Sequence, residues 1–171
     1  ACLMHEPTVR AARCIGERLQ VGGDDVSFGP TALSSSYQLV ANLLPPLAVG
    51  ATINVMGRWT PATGYDAIEA TGATFLVGNP ALLSETLQQS RERGRVPGRL
   101  RFVLSGGGPV PLALKRAWRE ELKVPLVESY GQSELGGFVG LGFPRLESDE
   151  RLAAVGPPLP DKEVRVFDGE D

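Results

Sequence analysis

Phe102-Val-Leu-Ser-Gly-Gly-Gly-Pro-Val-Pro-Leu-Ala-Leu-Lys-Arg-Ala-Trp-Arg-Glu-Glu-Leu-Lys-Val-Pro-Leu-Val127 holds a strand, a helix and a second strand. Phe102–Leu104 is a short apolar run that breaks into Ser105-Gly106-Gly107-Gly108. Pro111 suits the first turn of a helix, where its missing N–H costs no hydrogen bond. Leu114, Ala117, Trp118 and Leu122 then recur on one helical face. Pro125–Val127 is apolar again and reads as a buried strand. Two such strands separated by one helix are expected to lie side by side.

The same alternation extends outward. Ala1–Met4 reads as the tail of a strand, and Thr8, Ala12, Ile15 and Leu19 as one face of a helix. Val26–Leu33 is a strand by its apolar content. Tyr37, Val40, Leu44 and Leu47 mark a helix interrupted by Pro45-Pro46 and stopped at Gly50. Thr52–Met56 is a strand, Ala62–Ala70 a helix ending at Gly72, and Thr74–Val77 a strand. Ala81–Arg93 is a helix with Gly94 just past its end. Downstream, Gly136–Gly142 reads as a mobile loop and Val164–Phe167 as a last strand. Repeated strand–helix–strand units imply an α/β fold: a mostly parallel sheet with helices on both faces, residues 1–171 forming one such unit.

Composition narrows the function. A formal charge of −3 with no basic stripe argues against nucleic acid as a partner. The longest apolar stretch, Leu39–Val49, is too short to span a bilayer, so no transmembrane segment is expected. Cys2 and Cys14 form neither a disulfide framework nor, with the lone His5, a zinc site, and a reducing cytoplasmic setting is the default. Arg91, Arg93, Arg95, Arg99 and Arg101 form a basic cluster. It reads as a solvated helix end, with a phosphate-contacting patch as the alternative.

Chemistry gathers where two of the strands end. Ser105–Pro109 offers bare backbone, either a slot for a planar heterocycle or a tight turn under helix packing. Ser129–Glu134 (Ser-Tyr-Gly-Gln-Ser-Glu) offers an aromatic face, a glycine, a hydroxyl and a carboxylate. Ser133 and Glu134 are suited to a phosphate oxygen and a divalent cation, and Gly131 lets a ligand approach the backbone. The carboxyl ends of parallel strands are where α/β sheets bind ligands. The alternative is a strand end followed by an ordinary loop. Neither loop is a Walker A sequence or a dinucleotide fingerprint.

Ser105-Gly-Gly-Gly-Pro109 followed by Tyr130-Gly-Gln-Ser-Glu134 resembles the acyl-CoA synthetase/adenylate-forming superfamily, whose motif is Tyr-Gly-x-Thr/Ser-Glu. Leu47–Thr52 is similar to its Gly-Ala-Thr segment. Val155–Pro160 with Glu163–Val166 is similar to its "vG-x-P-l-P … e-v-r-i" segment. The resemblance covers the chain and implies that Gly107, Gly108 and Pro109 line an adenine. It implies that Ser129, Tyr130 and Gly131 complete the nucleotide contacts, with Tyr130 packed on the base. Ser133 is then placed at the α-phosphate and Glu134 on Mg²⁺. The implied reaction joins a small carboxylic acid to AMP from ATP, then passes the acyl group to coenzyme A.

The resemblance also implies parts that these residues do not contain: a phosphate loop, a ribose-binding aspartate and a carboxyl-terminal domain. The expectation is an internal fragment of a larger AMP-binding domain, inactive alone, that relies on the remainder of its own chain and self-associates through cut edges. The family's aromatic-His-x-x-Gly segment aligns with Ser34–Gln38, placing Ser35 where the histidine stands. Ser35, Asn79 and Gly137 are the acyl-pocket candidates. A peptide-synthetase-type adenylation domain and a non-catalytic nucleotide-binding module are the alternative readings.

Overall fold

In a computed structural model that describes residues 1–160 and 162–169, six strands form one sheet. They are β1 (Val26–Gly29), β2 (Thr52–Val55), β3 (Phe75–Val77), β4 (Phe102–Ser105), β5 (Leu126–Gln132) and β6 (Gly137–Leu141). The spatial order is β2-β1-β3-β4-β5-β6. The first five strands are parallel and β6 runs antiparallel to β5. The α/β expectation holds, and so does the neighbour relation of β4 and β5, with Val103 opposite Leu126 and Ser105 opposite Glu128.

The helices follow from the spacing of apolar residues. They are α1 (His5–Leu19), α2 (Ser36–Gln38), α3 (Leu44–Val49), α4 (Pro61–Thr71), α5 (Pro80–Arg93), α6 (Leu112–Glu121) and α7 (Asp149–Leu152). Strand periodicity sorts the core into two layers. Phe75, Val77, Phe102, Leu104 and Val127 face Ile15 and Leu19 of α1. Leu76, Val103 and Leu126 face the other way, onto Ile68 of α4, Leu83 and Leu87 of α5, and Trp118 of α6. Trp118 is fully buried, and its indole N–H donates to Leu83 O at 3.3 Å. Truncating such a side chain to alanine costs about 3–5 kcal/mol.

The helix expected over Tyr37–Leu47 is broken into α2, a π-helical turn at Leu39–Leu43, and α3. Pro45 and Pro46 lack the N–H groups that would bond Ala41 and Asn42 carbonyls. The Asn42 carbonyl instead accepts from Ser27 Oγ at 3.2 Å. Gly50, Gly72 and Gly94 end their helices as expected.

Four expectations need correction. Ala1–Met4 is not a strand but an exposed lead into α1. The strand expected over Val26–Leu33 stops at Gly29, because Pro30 cannot donate to a ladder. Gly136–Gly142 is not a mobile loop: Gly137–Leu141 is the fully buried strand β6. Val164–Phe167 alternates like a strand but pairs with nothing among the described residues, and Val166 is 95% exposed. Four of the five clustered arginines are engaged in ion pairs. Arg91 binds Glu121, Arg93 binds Asp66, Arg95 binds Glu69 and Arg101 binds Asp25. The cluster precedes β4 and so lies at the amino edge of the sheet, opposite the strand ends considered next.

Candidate functional site

The motif Ser129–Gln132 continues β5 past the end of β4 and pairs with β6 instead. Tyr130 stands opposite Gly140 and Gly131 opposite Phe138, with a bulge between Tyr130 and Gly131. A 3₁₀ turn, Ser133–Leu135, closes the hairpin. Gly131 is required by this crossing, since a Cβ there would lie 2.1 Å from Gly137 O.

Gly106 is equally constrained. A Cβ on it would meet Ser129 Oγ at 2.3 Å and the Tyr37 ring at 2.9 Å. Ser129 Oγ donates to Ser105 O at 3.0 Å and pins the end of β4 to β5. By contrast, a Cβ on Gly107 or Gly108 meets nothing within 4 Å, and Gly107 has φ +78°. The first glycine of the three is a packing residue, and the next two face open space. That bare backbone fits an approaching planar group, and Tyr130, 54% exposed, leaves its ring accessible nearby.

A third segment completes the arrangement. Ser36 Oγ lies 2.5 Å from Ser133 Oγ, tying the start of α2 to the 3₁₀ turn. The Tyr37 hydroxyl donates to Leu104 O at 3.2 Å. Burial pushes the Tyr37 phenol above its ordinary pKa, against a smaller opposing hydrogen bond with Ser129, so it stays a neutral donor.

These segments enclose a cavity of about 270 Å³. Of the predicted site residues, Ser35, Gly107, Ser129, Gly131, Ser133 and Gly137 line it. Gly108, Pro109, Tyr130 and Glu134 adjoin these residues in sequence but are not part of its wall. Asn79 is elsewhere engaged: its Oδ1 accepts from Leu82 N at 2.9 Å and caps α5. Sequence reasoning missed Ser36, Tyr37, Val40, Gln132 and Phe138 as lining residues. The segment alignment through Ser34–Gln38 was the signal for Ser36 and Tyr37, and the Tyr-Gly-x-Ser-Glu motif for Gln132. Glu134 is exposed on the 3₁₀ turn, and no cluster of three potential metal ligands exists among the described residues. A single carboxylate is compatible with Mg²⁺, which takes one or two carboxylates alongside substrate phosphates and water.

A larger cavity, about 320 Å³, lies on the α6 side of β5. It contains none of the predicted residues. Its wall includes Lys115 and Glu128, a buried ion pair, and Lys115 Nζ also donates to Leu152 O at 2.7 Å.

A mostly parallel sheet thus carries an aromatic–glycine–hydroxyl–carboxylate turn beside an open glycine loop. The chain belongs to the AMP-binding enzyme family, whose model matches residues 1–171. It is 30% identical over 123 residues to the 4-hydroxybenzoate–CoA/benzoate–CoA ligase of Rhodopseudomonas palustris, covering 71% of this chain and 23% of that protein. It is 27% identical over 167 residues to the benzoate–CoA ligase of Thauera aromatica, covering 97% of this chain and 30% of that one. The chain thus spans less than a third of the length of either relative. Among solved structures, o-succinylbenzoate CoA synthetase from Bacillus subtilis, bound with a product analogue, superposes with a TM-score of 0.83 at 26% identity. That match covers 95% of this chain and 33% of the other. An anthranilate CoA ligase in complex with anthranoyl-AMP shares the fold, with a TM-score of 0.82 at 20% identity over 96% of this chain and 32% of that one. No helix among the described residues is long and apolar enough to cross a membrane.

Proposed function

We propose that residues 1–171 form part of the nucleotide- and acyl-binding region of an ATP-dependent carboxylate–CoA ligase. The reaction makes an acyl-adenylate, then an acyl-CoA thioester. One observation carries the reading. The open backbone at Gly107–Gly108 and the Tyr130–Glu134 turn leave neighbouring parallel strands at the same edge of the sheet. Gly107, Gly108 and Pro109 receive the adenine edge, with Tyr130 against its face and Ser129 and Gly131 shaping the wall between base and acid. Ser133 lies at the α-phosphate.

In the first step a substrate carboxylate oxygen attacks the α-phosphorus, and the bond to pyrophosphate breaks. This demands alignment and charge neutralisation, with no proton to remove from an ionised acid. Mg²⁺, when bound, offsets phosphate charge, and Glu134 is the residue that would hold it. Coenzyme A as acceptor, a cytoplasmic setting, and a phosphate loop and second domain supplied by further chain are parts of the same proposal. Relatives that are CoA ligases support the acceptor, and the share of each that is matched supports the further chain.

Carboxylate-dependent ATP–pyrophosphate exchange in the full-length protein tests the reading. Glu134→Ala is expected to lower exchange by about 10²-fold or more, because a metal ligand is lost. Exchange at the unsubstituted rate refutes the assignment.

A further inference from the structure

The cavity beside the motif has a chemical character of its own. Four serines, Ser35, Ser36, Ser129 and Ser133, stand on its wall, and the Ser129 hydroxyl is committed to Ser105 O. Ser36 and Ser133 bond each other, while Ser35 occupies the position before α2 without making a side-chain capping bond. Its hydroxyl is thereby available to a ligand. Among the described residues no charged side chain lines the cavity.

The inner end is closed. The Tyr37 and Phe138 rings pack at 5.7 Å, tilted by 47°, and Phe138 is 3% exposed. Val40 stands against Gly137, where a Cβ would lie 3.2 Å from its side chain. Among the described residues, the Tyr37, Val40 and Phe138 side chains occupy the space between the π-helical turn and β6.

We infer that the acyl group accepted here is short and carries a neutral hydroxyl or carbonyl oxygen. The inference rests on reading this cavity as the acyl end of the adenylating site. A long alkyl acid meets the Tyr37–Phe138–Val40 floor. A second carboxylate would be desolvated with no cation among the described residues to pair it. A bare alkyl group would cover the Ser35 hydroxyl, which water reaches in the empty cavity, without giving it a partner, at a penalty that an oxygen substituent removes. Serine hydroxyls both donate and accept, so they match a neutral oxygen of either kind.

The test is ATP–pyrophosphate exchange by the full-length protein on matched acids: butyrate against 3-hydroxybutyrate, pentanoate against 4-oxopentanoate, with malonate and octanoate alongside. The oxygenated member of at least one pair is expected to show kcat/KM higher by about tenfold or more, the equivalent of one satisfied buried hydrogen bond. Ser35→Ala is expected to bring that ratio toward one. Equal kcat/KM within both pairs, or malonate or octanoate as the best substrate, overturns the inference while leaving adenylation standing. Exchange with no acid at all overturns the adenylation reading, and the inference falls with it.

Discussion

Removing the ammonium of Lys115 should destabilise the protein more than any other single charge deletion described here. Lys115 is 3% exposed and pairs with Glu128, itself 13% exposed, across the gap between α6 and β5. Its Nζ also supplies a hydrogen bond to Leu152 O at the end of α7. Lys115→Met keeps the length of the side chain and leaves the Glu128 carboxylate buried without a partner. Breaking a buried pair from one side costs about 3–5 kcal/mol, whereas replacing both partners by apolar residues is often close to neutral. At about 2–4 °C per kcal/mol for a chain of this size, Lys115→Met should lower Tm by about 6–20 °C. The double substitution Lys115→Met with Glu128→Leu should recover most of that loss. Thermal and urea unfolding of the wild type, both single variants and the double variant supply the cycle. Hydrogen exchange should also accelerate first around residues 149–157, where the Leu152 carbonyl loses its donor. A Lys115→Met loss below about 1 kcal/mol, or two single losses that simply add in the double variant, would refute the reasoning.

The two kinds of glycine in the loop after β4 should separate stability from binding. Gly106→Ala meets Ser129 and Tyr37 and should cost about 1–3 kcal/mol in urea unfolding. Gly108→Ala, with nothing within 4 Å, should stay within about 0.5 kcal/mol yet raise KM for ATP; an unchanged KM counts against its contact with the nucleotide. Asp25 should govern acid sensitivity. Burial opposes its ionisation, but hydrogen bonds from Arg101, Thr74 and Gly22 N–H win and hold its carboxyl below the ordinary value. Its stabilisation is therefore complete above the unfolded-state pKa, about 3.9, and is lost as pH falls through the lower folded-state value. Asp25→Asn should flatten that part of the Tm–pH curve, and unchanged slopes below about pH 4 would exclude the role. Among the described residues the outer side of β2 is unpaired, and Val55 at its end is 54% exposed, so residues 1–171 alone should self-associate. Light scattering should show a concentration-dependent dimer that Val55→Lys weakens; a monomer at every concentration refutes this.

The parallel sheet was legible because each strand is a short apolar run and each helix carries its own punctuation. Pro80 opens α5 and Gly94 closes it, as Thr60 and Gly72 bracket α4. What could not be read was whatever depends on a distant partner. Gly136–Gly142 looked like a loop because four of its residues are glycine. The structure uses glycine at 131 so that two backbones can cross and at 137 for a φ of +125° against Val40, and Phe138 and Leu141 fill the core beyond the crossing. Val164–Phe167 has the opposite history: its alternation was genuine, but a strand exists only where another strand offers its edge. At the site, the placement of the glycine loop beside the tyrosine turn followed from a single intervening helix. The Ser36–Ser133 contact joins residues far apart in sequence, and spacing alone gave no hint of it. Asn79 illustrates the converse, since an asparagine before a proline-initiated helix is as well explained by the cap it forms as by a ligand.

The strand order has a consequence for how the protein emerges from the ribosome. Once β1 and β2 have paired, β3 joins the free side of β1, and β4, β5 and β6 each add to the newest edge in the order of synthesis. No later strand has to be inserted between two earlier ones, so the sheet can lengthen as the chain is delivered. The last addition is the antiparallel one, and it is β6 that pairs with Ser129–Gln132. A nascent chain arrested after Leu135 would hold four parallel ladders and most of the core, yet the tyrosine–glutamate turn would lack its second strand. The site is thus the final part of this sheet to acquire its shape, after the scaffold it rests on is already in place.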